Sequence, residues 1–275
     1  MTLLRAVLIS WICLAGPSVL ANDASGPPGT MKVLTLNVAH ARADGRSQWL
    51  QSSEQARQHL WRIANVLKRE NPHVAAFQEI DTNSFWNGRF NHTEYVADIA
   101  NYPHHFSGAH IQGNHLEYGT ALVSRQTLND PKSVRFNRPF ARPRKGFVLS
   151  TTHWPGADHV DVDVVSVHFD FLTRNQRKKE ARKLIEALAG RDNPSIVMGD
   201  LNADYHEDSL IPLLEKSLDL STWQPSEKTV TFPRFQKRLD WVLVSEEIEI
   251  VSHEVLPDAL SDHRAVVAEL RLVDS

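Results

Sequence analysis

The sequence predicts an α/β protein, a four-layer sandwich of two packed mixed β-sheets flanked by helices. Strand-like and helix-like patterns alternate along the chain with no low-complexity linker and no internal repeat. Short hairpin-like connections mix with longer helical crossovers, which suits sheets packed face to face. Polar residues also recur at the strand ends, where functional groups concentrate.

The elements follow in order. Met1–Ala21 has the pattern of a signal peptide: Arg5 as a positive start, an apolar run from Ala6 to Gly16, and the small-residue site Val19-Leu20-Ala21. The run is shorter than the ~20 residues of a membrane span, so export and cleavage after Ala21 are expected, to the periplasm or the extracellular space, with no membrane span remaining. Residues 22–30 form a Gly/Pro-rich lead-in, and residues 31–275 are expected to be one domain, functioning as a monomer. Met31 to Val38 alternates apolar and polar residues as a strand does. Gln48 to Glu70 places Leu60, Ile63, Ala64 and Leu67 on one helical face, and Asn71-Pro72 stops it. Val74 to Phe77, Thr120 to Ser124, Phe147 to Thr151 and Val160 to Phe169 are expected strands. A helix over Arg174 to Leu188, a strand from Ser195, a helix near Ser209 to Leu218 and three closing strands complete the chain.

Composition excludes several functions. The 275 residues are 41% hydrophobic and 23% charged, enough for a sizeable core. Cys13 is the only cysteine, so the cleaved protein would have no disulfide, thiolate nucleophile or cysteine metal site. Lys plus Arg number 30 against 33 Asp plus Glu, a net charge of -3, which lacks the basic footprint of a protein that coats nucleic acid.

Asn37 ends the first strand, Glu79 follows the second and His168 lies near the end of the long one. Asp200 and Asn202 follow the strand from Ser195, Asp240 opens another, and Asp262-His263 precedes the last. Singly, a strand-end Asp is a turn former and a lone His is a structural residue. As an ordered set they resemble the endonuclease/exonuclease/phosphatase superfamily. The resemblance runs through Leu34-Thr35-Leu36-Asn37-Val38, Phe77-Gln78-Glu79, Tyr118 to Arg125, Val165 to Asp170, Gly199-Asp200-Leu201-Asn202, Leu239-Asp240-Trp241-Val242 and Ser261-Asp262-His263. It thus spans essentially the whole mature chain.

The resemblance implies hydrolysis of a phosphate ester. That chemistry needs a cation for the phosphoryl oxygens, a base for water and donors for developing charge. Glu79 is implied as principal metal ligand, with Asn37 and Asp262 completing the shell, an oxygen set that suits Mg²⁺, with Mn²⁺ as substitute. His263 is the expected general base, since an imidazole titrates near pH ~6.5, and Asp240 would fix its tautomer. Asp200 and Asn202 would orient water and phosphate, with Asp200 as the rival base. His168 would donate to a non-bridging oxygen or to the leaving group.

Departures narrow the substrate. Ala39 stands where abasic-site nucleases carry an acidic residue, and their Tyr motif is absent at His168. Pancreatic-type deoxyribonucleases use disulfides that this chain cannot form. Asp170 and the helix after it look more like the sphingomyelinase-like branch. The expectation is an exported phosphohydrolase or phosphodiesterase acting on a lipid headgroup or small molecule; a secreted nuclease acting on DNA or RNA is the alternative, and a catalytically silent binding protein on the same fold is the rival of another class.

Three features remain. Arg135, Arg138, Arg142, Arg144 and Lys145, with Pro139 and Pro143, form either a solvated loop or a second phosphate site. Phe85, Trp86 and Phe90 form either a wall of the cleft or part of the core. His104-His105, His110 and His115 invite a second metal site, but strand alternation sends His104 and His105 to opposite faces.

Overall fold

The computed structural model describes residues 29–45, 47–113, 115–137, 143–224 and 229–273. The expected signal peptide, residues 22–28, and Arg138, Pro139 and Arg142 lie outside them.

Two six-stranded mixed sheets form the centre. In chain order the strands are β1 (Thr30–Asn37), β2 (Val74–Asp81), β3 (His104–Gly113), β4 (Leu116–Ser124), β5 (Asn129–Arg135), β6 (Gly146–Trp154), β7 (Ala157–His168), β8 (Ser195–Asp200), β9 (Leu220–Thr222), β10 (Asp240–Ser245), β11 (Ile248–Val255) and β12 (Val266–Leu272). The α-helices are α1 (Ser53–Glu70), α2 (His92–Ala100), α3 (Arg174–Leu188) and α4 (Leu210–Leu218). The first sheet runs β11-β12-β1-β2-β4-β3 and the second β5-β6-β7-β8-β10-β9.

The two sheets bury one set of side chains between them: Met31, Val33, Val74, Ala76 and Leu122 meet Val148, Val164, Ile196, Met198 and Val242. Alternate residues of the same strands point outward, as the pleat requires. Leu34, Leu36 and Phe77 pack under α1 and α2, and Val165, Val167, Val197 and Leu243 pack under α3 and α4. This is the predicted four-layer order. Among the described residues no helix is long and apolar enough to cross a membrane.

The expected long helix from Gln48 is split. Ser52 accepts from the Gln55 N–H while the Gln55 side chain accepts from the Ser52 N–H, a capping box that starts α1 at Ser53 and leaves Gln48–Leu50 as a separate 3₁₀ turn. Asn71 in the left-handed region ends α1, as the sequence indicated. The helix His92–Ala100 and the strands Asn129–Arg135 and Leu220–Thr222 are additional to the expected elements.

Two parallel pairings position the site. β1 runs parallel to β2, and β7 parallel to β8, so Asn37, Asp81, His168 and Asp200 all emerge at the C-terminal ends of their strands. β10 is antiparallel to β8, with Asp240 opposite Asp200. The connections at this end therefore converge on one opening.

Candidate active site

A cleft of about 730 Å³ opens between the sheet ends. Asn37, Glu79, His168, Asp200, Asn202, Asp262 and His263 line it, and Asp240 stands behind His263, with its Oδ2 2.8 Å from Nδ1. All eight residues singled out from the sequence are thus brought together.

Asp200 is the hub. It is buried, and its Oδ2 accepts from the Asn37 side-chain amide at 2.9 Å and lies 3.3 Å from His168 Nε2 and 3.8 Å from His263 Nε2. Its Oδ1 accepts from the Asn202 N–H at 2.9 Å. Gly199 explains how this strand comes so close to β7: at φ 147°, an added Cβ would lie 2.0 Å from the Val167 carbonyl oxygen. Asn202 turns in the left-handed region, and its amide donates to the Phe169 carbonyl at 3.0 Å, tying the end of β8 to the end of β7.

Glu79 sits where β2 bulges: the register with β4 slips between Gln78 and Ile80, and Glu79 itself has φ 50°. A bulge re-aims a side chain, and here the carboxylate enters the cleft. Lys145 Nζ donates to Glu79 Oε1 at 3.1 Å and lies 3.0 Å from His168 Nε2. On the other side His40 Nε2 is 3.7 Å from Glu79 Oε2, while its Nδ1 is 3.2 Å from Asp81 Oδ2. Asp262 accepts from Arg42 Nη2 at 2.6 Å and from the Ser261 hydroxyl at 3.1 Å.

The sequence of these groups matches the family model for the endonuclease/exonuclease/phosphatase family over residues 34–263. The chain belongs to that family. The fold is similar to an endonuclease/exonuclease/phosphatase from Beutenbergia cavernae DSM 12333, at 20% identity and TM-score 0.68 over 88% of this chain and 72% of that one. It is also similar to the human nocturnin catalytic domain with bound sulfate, at 17% identity and TM-score 0.67 over 90% and 96%. A third is the mannosyl-6-phosphatase of Bacteroides thetaiotaomicron, at 17% identity and TM-score 0.69 over 87% and 99%. At these identities the likeness establishes the fold. No curated protein matches the chain by sequence. Members of the endonuclease/exonuclease/phosphatase family hydrolyse phosphoester bonds, generally with a metal.

The electrostatics of this family member's cleft are strongly polarised. Burial alone would raise the Glu79 carboxyl, but Lys145, His40 and His168 outweigh it and hold it well below the ordinary carboxylate range. Burial likewise opposes ionisation of Asp200, yet His263, His168 and the Asn37 amide bring it to about 2. Burial disfavours the His263 imidazolium, but Asp240 and Asp200 lift it to about 10. Burial, followed by Lys145, lowers His168.

Two donor sets present themselves for a cation. Asp200, Asp240 and His263 have ligand atoms within 4.8 Å of one another, but the proton between the Asp240 and His263 side chains already balances that group. Glu79, Asn37 and Asp262 supply hard oxygens on the wall of the same cleft. The Glu79 carboxylate is ionised, and its Oε1 already accepts one cationic group, the Lys145 ammonium at 3.1 Å. This second set fits a hard divalent ion.

Other residues depart from their sequence readings. Lys145 belongs to the cleft and not to a solvated loop; pairing of Gly146 with His168 across β6 and β7 turns it inward. His40 went unnoticed because no periodic pattern marks the left-handed run Ala39-His40-Ala41 that presents it. Phe85 and Trp86 are outside the cleft lining and pack with Trp49, whereas Phe90 packs against the helical core. Asp170 accepts from the Leu172 and Thr173 N–H groups ahead of α3. His104 and His105 lie on β3, His110 is bonded to Thr120, and His115 meets Arg89.

Proposed function

We propose that the protein is an exported, Mg²⁺-dependent phosphohydrolase or phosphodiesterase that cleaves a phosphate ester by attack of water. The observation that carries this reading is the convergence of Glu79, Asn37 and Asp262 with Asp200, His168 and His263 on one cleft. Glu79 would anchor the cation, with Asn37 and Asp262 beside it. A bound Mg²⁺ neutralises phosphoryl oxygens and makes water more acidic.

The chain's own groups divide the remaining work. Asp200 is ionised, fixed by three donors and aimed into the cleft, which suits a group that orients water and takes its proton. His263, charged and held by Asp240, suits stabilisation of the developing negative charge. This distribution supports Asp200 as the base more than His263, because an imidazole already protonated at neutral pH is not free to accept a proton. His168, across Asp200 from His263, suits donation toward the leaving oxygen. Lys145 adds a second positive charge next to His168.

A panel of plasmid DNA, RNA, sphingomyelin, phosphoinositides and bis-p-nitrophenyl phosphate, tested with the mature protein and Mg²⁺, examines the reading. Turnover of an ester that is lost in EDTA and in Glu79→Gln is expected. Binding without turnover of any ester would leave the silent binding protein as the better account. Secretion of the full chain with its N-terminus at Asn22 is the expected result for export; retention of Met1–Ala21 would sink that part.

A further inference from the structure

Six of the nine large apolar side chains exposed among the described residues lie at the cleft end: Trp49, Leu50, Phe85, Phe171, Leu172 and Phe235. They stand on four connections, those after β1, β2 and β7, whose strands supply Asn37, Glu79 and His168 to the cleft, and the one before β10, whose Asp240 backs His263. The other three, Trp61, Val251 and Val273, are scattered over α1, β11 and the stretch after β12. Scattered exposure needs no explanation, but exposure gathered on one face marks an interaction surface. Trp49 stacks edge-on against Phe85 with ring centroids 4.9 Å apart, so part of this surface is held in place before any partner arrives. Phe171 and Phe235 line the cleft itself, together with the exposed cations Arg174 and Arg234.

The composition of this face chooses among partners. Single-stranded nucleic acid would stack its bases on rings, yet Leu50 is 81% and Leu172 54% exposed, and an aliphatic side chain offers no ring. A second copy of the chain packed here would close both clefts. A bilayer interface takes all three kinds of residue: Trp at the headgroup level, Phe and Leu at the acyl boundary, Arg against lipid phosphates.

We propose that the cleft end of the molecule docks onto a phospholipid bilayer and that the ester presented to the cleft is a phosphate of a lipid headgroup. The second half of this proposal rests on the phosphohydrolase reading above; the docking itself is tested without turnover. In EDTA, the wild-type chain should cosediment with phosphatidylcholine vesicles, and more strongly when phosphatidylglycerol is included. Leu50→Glu and Leu172→Glu should each lower the partition constant by about tenfold or more, since burying one leucine is worth about a decade. Both positions are exposed, so melting temperatures should match wild type. Wild-type protein that stays in the supernatant with both vesicle types would overturn the docking, as would variants that sediment like wild type. A labelled single-stranded oligonucleotide retained by protein that ignores vesicles would assign the face to nucleic acid. A dimer that Leu50→Glu dissolves, again without vesicle binding, would assign it to a second copy. Hydrolysis of bis-p-nitrophenyl phosphate with Mg²⁺ separates the two readings: activity without vesicle binding removes only the docking, and vesicle binding without turnover of any ester removes the headgroup as substrate.

Discussion

His263 Nδ1 lies 2.8 Å from Asp240 Oδ2, and both side chains are buried at the inner wall of the cleft. Burial works against the imidazolium, but Asp240 and then Asp200 lift it to about 10. The imidazole is therefore protonated at neutral pH. A raised histidine contributes stability that is complete below its unfolded value of about 6.5 and lost as pH rises through about 10. Asp240→Asn should bring the midpoint back toward the ordinary imidazole range, read from the His263 ring protons by NMR. An unmoved midpoint would contradict the pairing. His263→Ala should reduce kcat by about 10²- to 10³-fold, the cost of losing one charge-stabilising donor. If His263 stabilises charge and Asp200 is the base, the acidic limb of kcat/KM should survive in His263→Ala.

Glu79 and Lys145 form a charged pair in the wall of the cleft. With the Lys145 ammonium 3.1 Å away, the half-buried Glu79 carboxylate stays ionised in the cleft wall. Chelation should abolish turnover, Mg²⁺ or Mn²⁺ should restore it, and Glu79→Gln should fold normally yet remain nearly inactive. Lys145→Met removes a positive charge from the side of His168 and should lower kcat by about 10²-fold, in the range found for loss of one charge-stabilising donor. Full activity in excess EDTA would refute the metal-dependent route.

His40 bridges Asp81 and Glu79, with Nδ1 3.2 Å from the former and Nε2 3.7 Å from the latter. Asp81 is itself held by the Ser84 hydroxyl and the Trp86 indole N–H. A chain of this kind fixes the carboxylate that would anchor the ion, and losing such a partner typically costs about 10- to 100-fold in metal affinity. His40→Ala should weaken Mn²⁺ binding by that factor in an electron paramagnetic resonance titration. Unchanged affinity would reduce His40 to a packing residue.

Much of this arrangement was legible because strand ends announce themselves. Asp200 stands out after an apolar run and a glycine, and the close approach of β7 supplies the physical reason for that glycine. Asp262 and His263 are adjacent in sequence and need only one turn to reach the cleft. Lys145 was hidden by its neighbours: beside Pro143 and Arg144 it looks like surface, and only the β6–β7 register reveals that it faces His168. His40 was hidden by irregular backbone, since three successive left-handed residues follow no period. The short helix α2 was missed for a related reason. Its cap at Asn91, which accepts from the Thr93 and Glu94 N–H groups, is clear only once the helix is known.

Glu180 lies outside the catalytic cluster. It is buried on α3; Oε2 accepts from the Asp170 N–H at 2.8 Å and Oε1 from the Gln176 amide at 3.0 Å. Burial raises its carboxyl to about 7, against the lowering effect of those two hydrogen bonds, and Asp170 adds to the rise. Between its unfolded value near 4.5 and about 7, the native state therefore holds more protons than the unfolded chain. Stability must then fall as pH rises through that window, by about 3 kcal/mol or slightly more if the full shift is realised. Glu180→Gln keeps a neutral side chain of the same shape and should remove that slope. Urea unfolding from about pH 5 to about pH 8, wild type minus variant, cancels the other titrating groups. Parallel stability curves would show that Glu180 is ionised without penalty. A falling difference would measure the cost of charging a buried carboxyl beside Asp170, whose own carboxylate accepts from the Leu172 and Thr173 N–H groups and so shapes the connection bearing Phe171 and Leu172 at the mouth of the cleft.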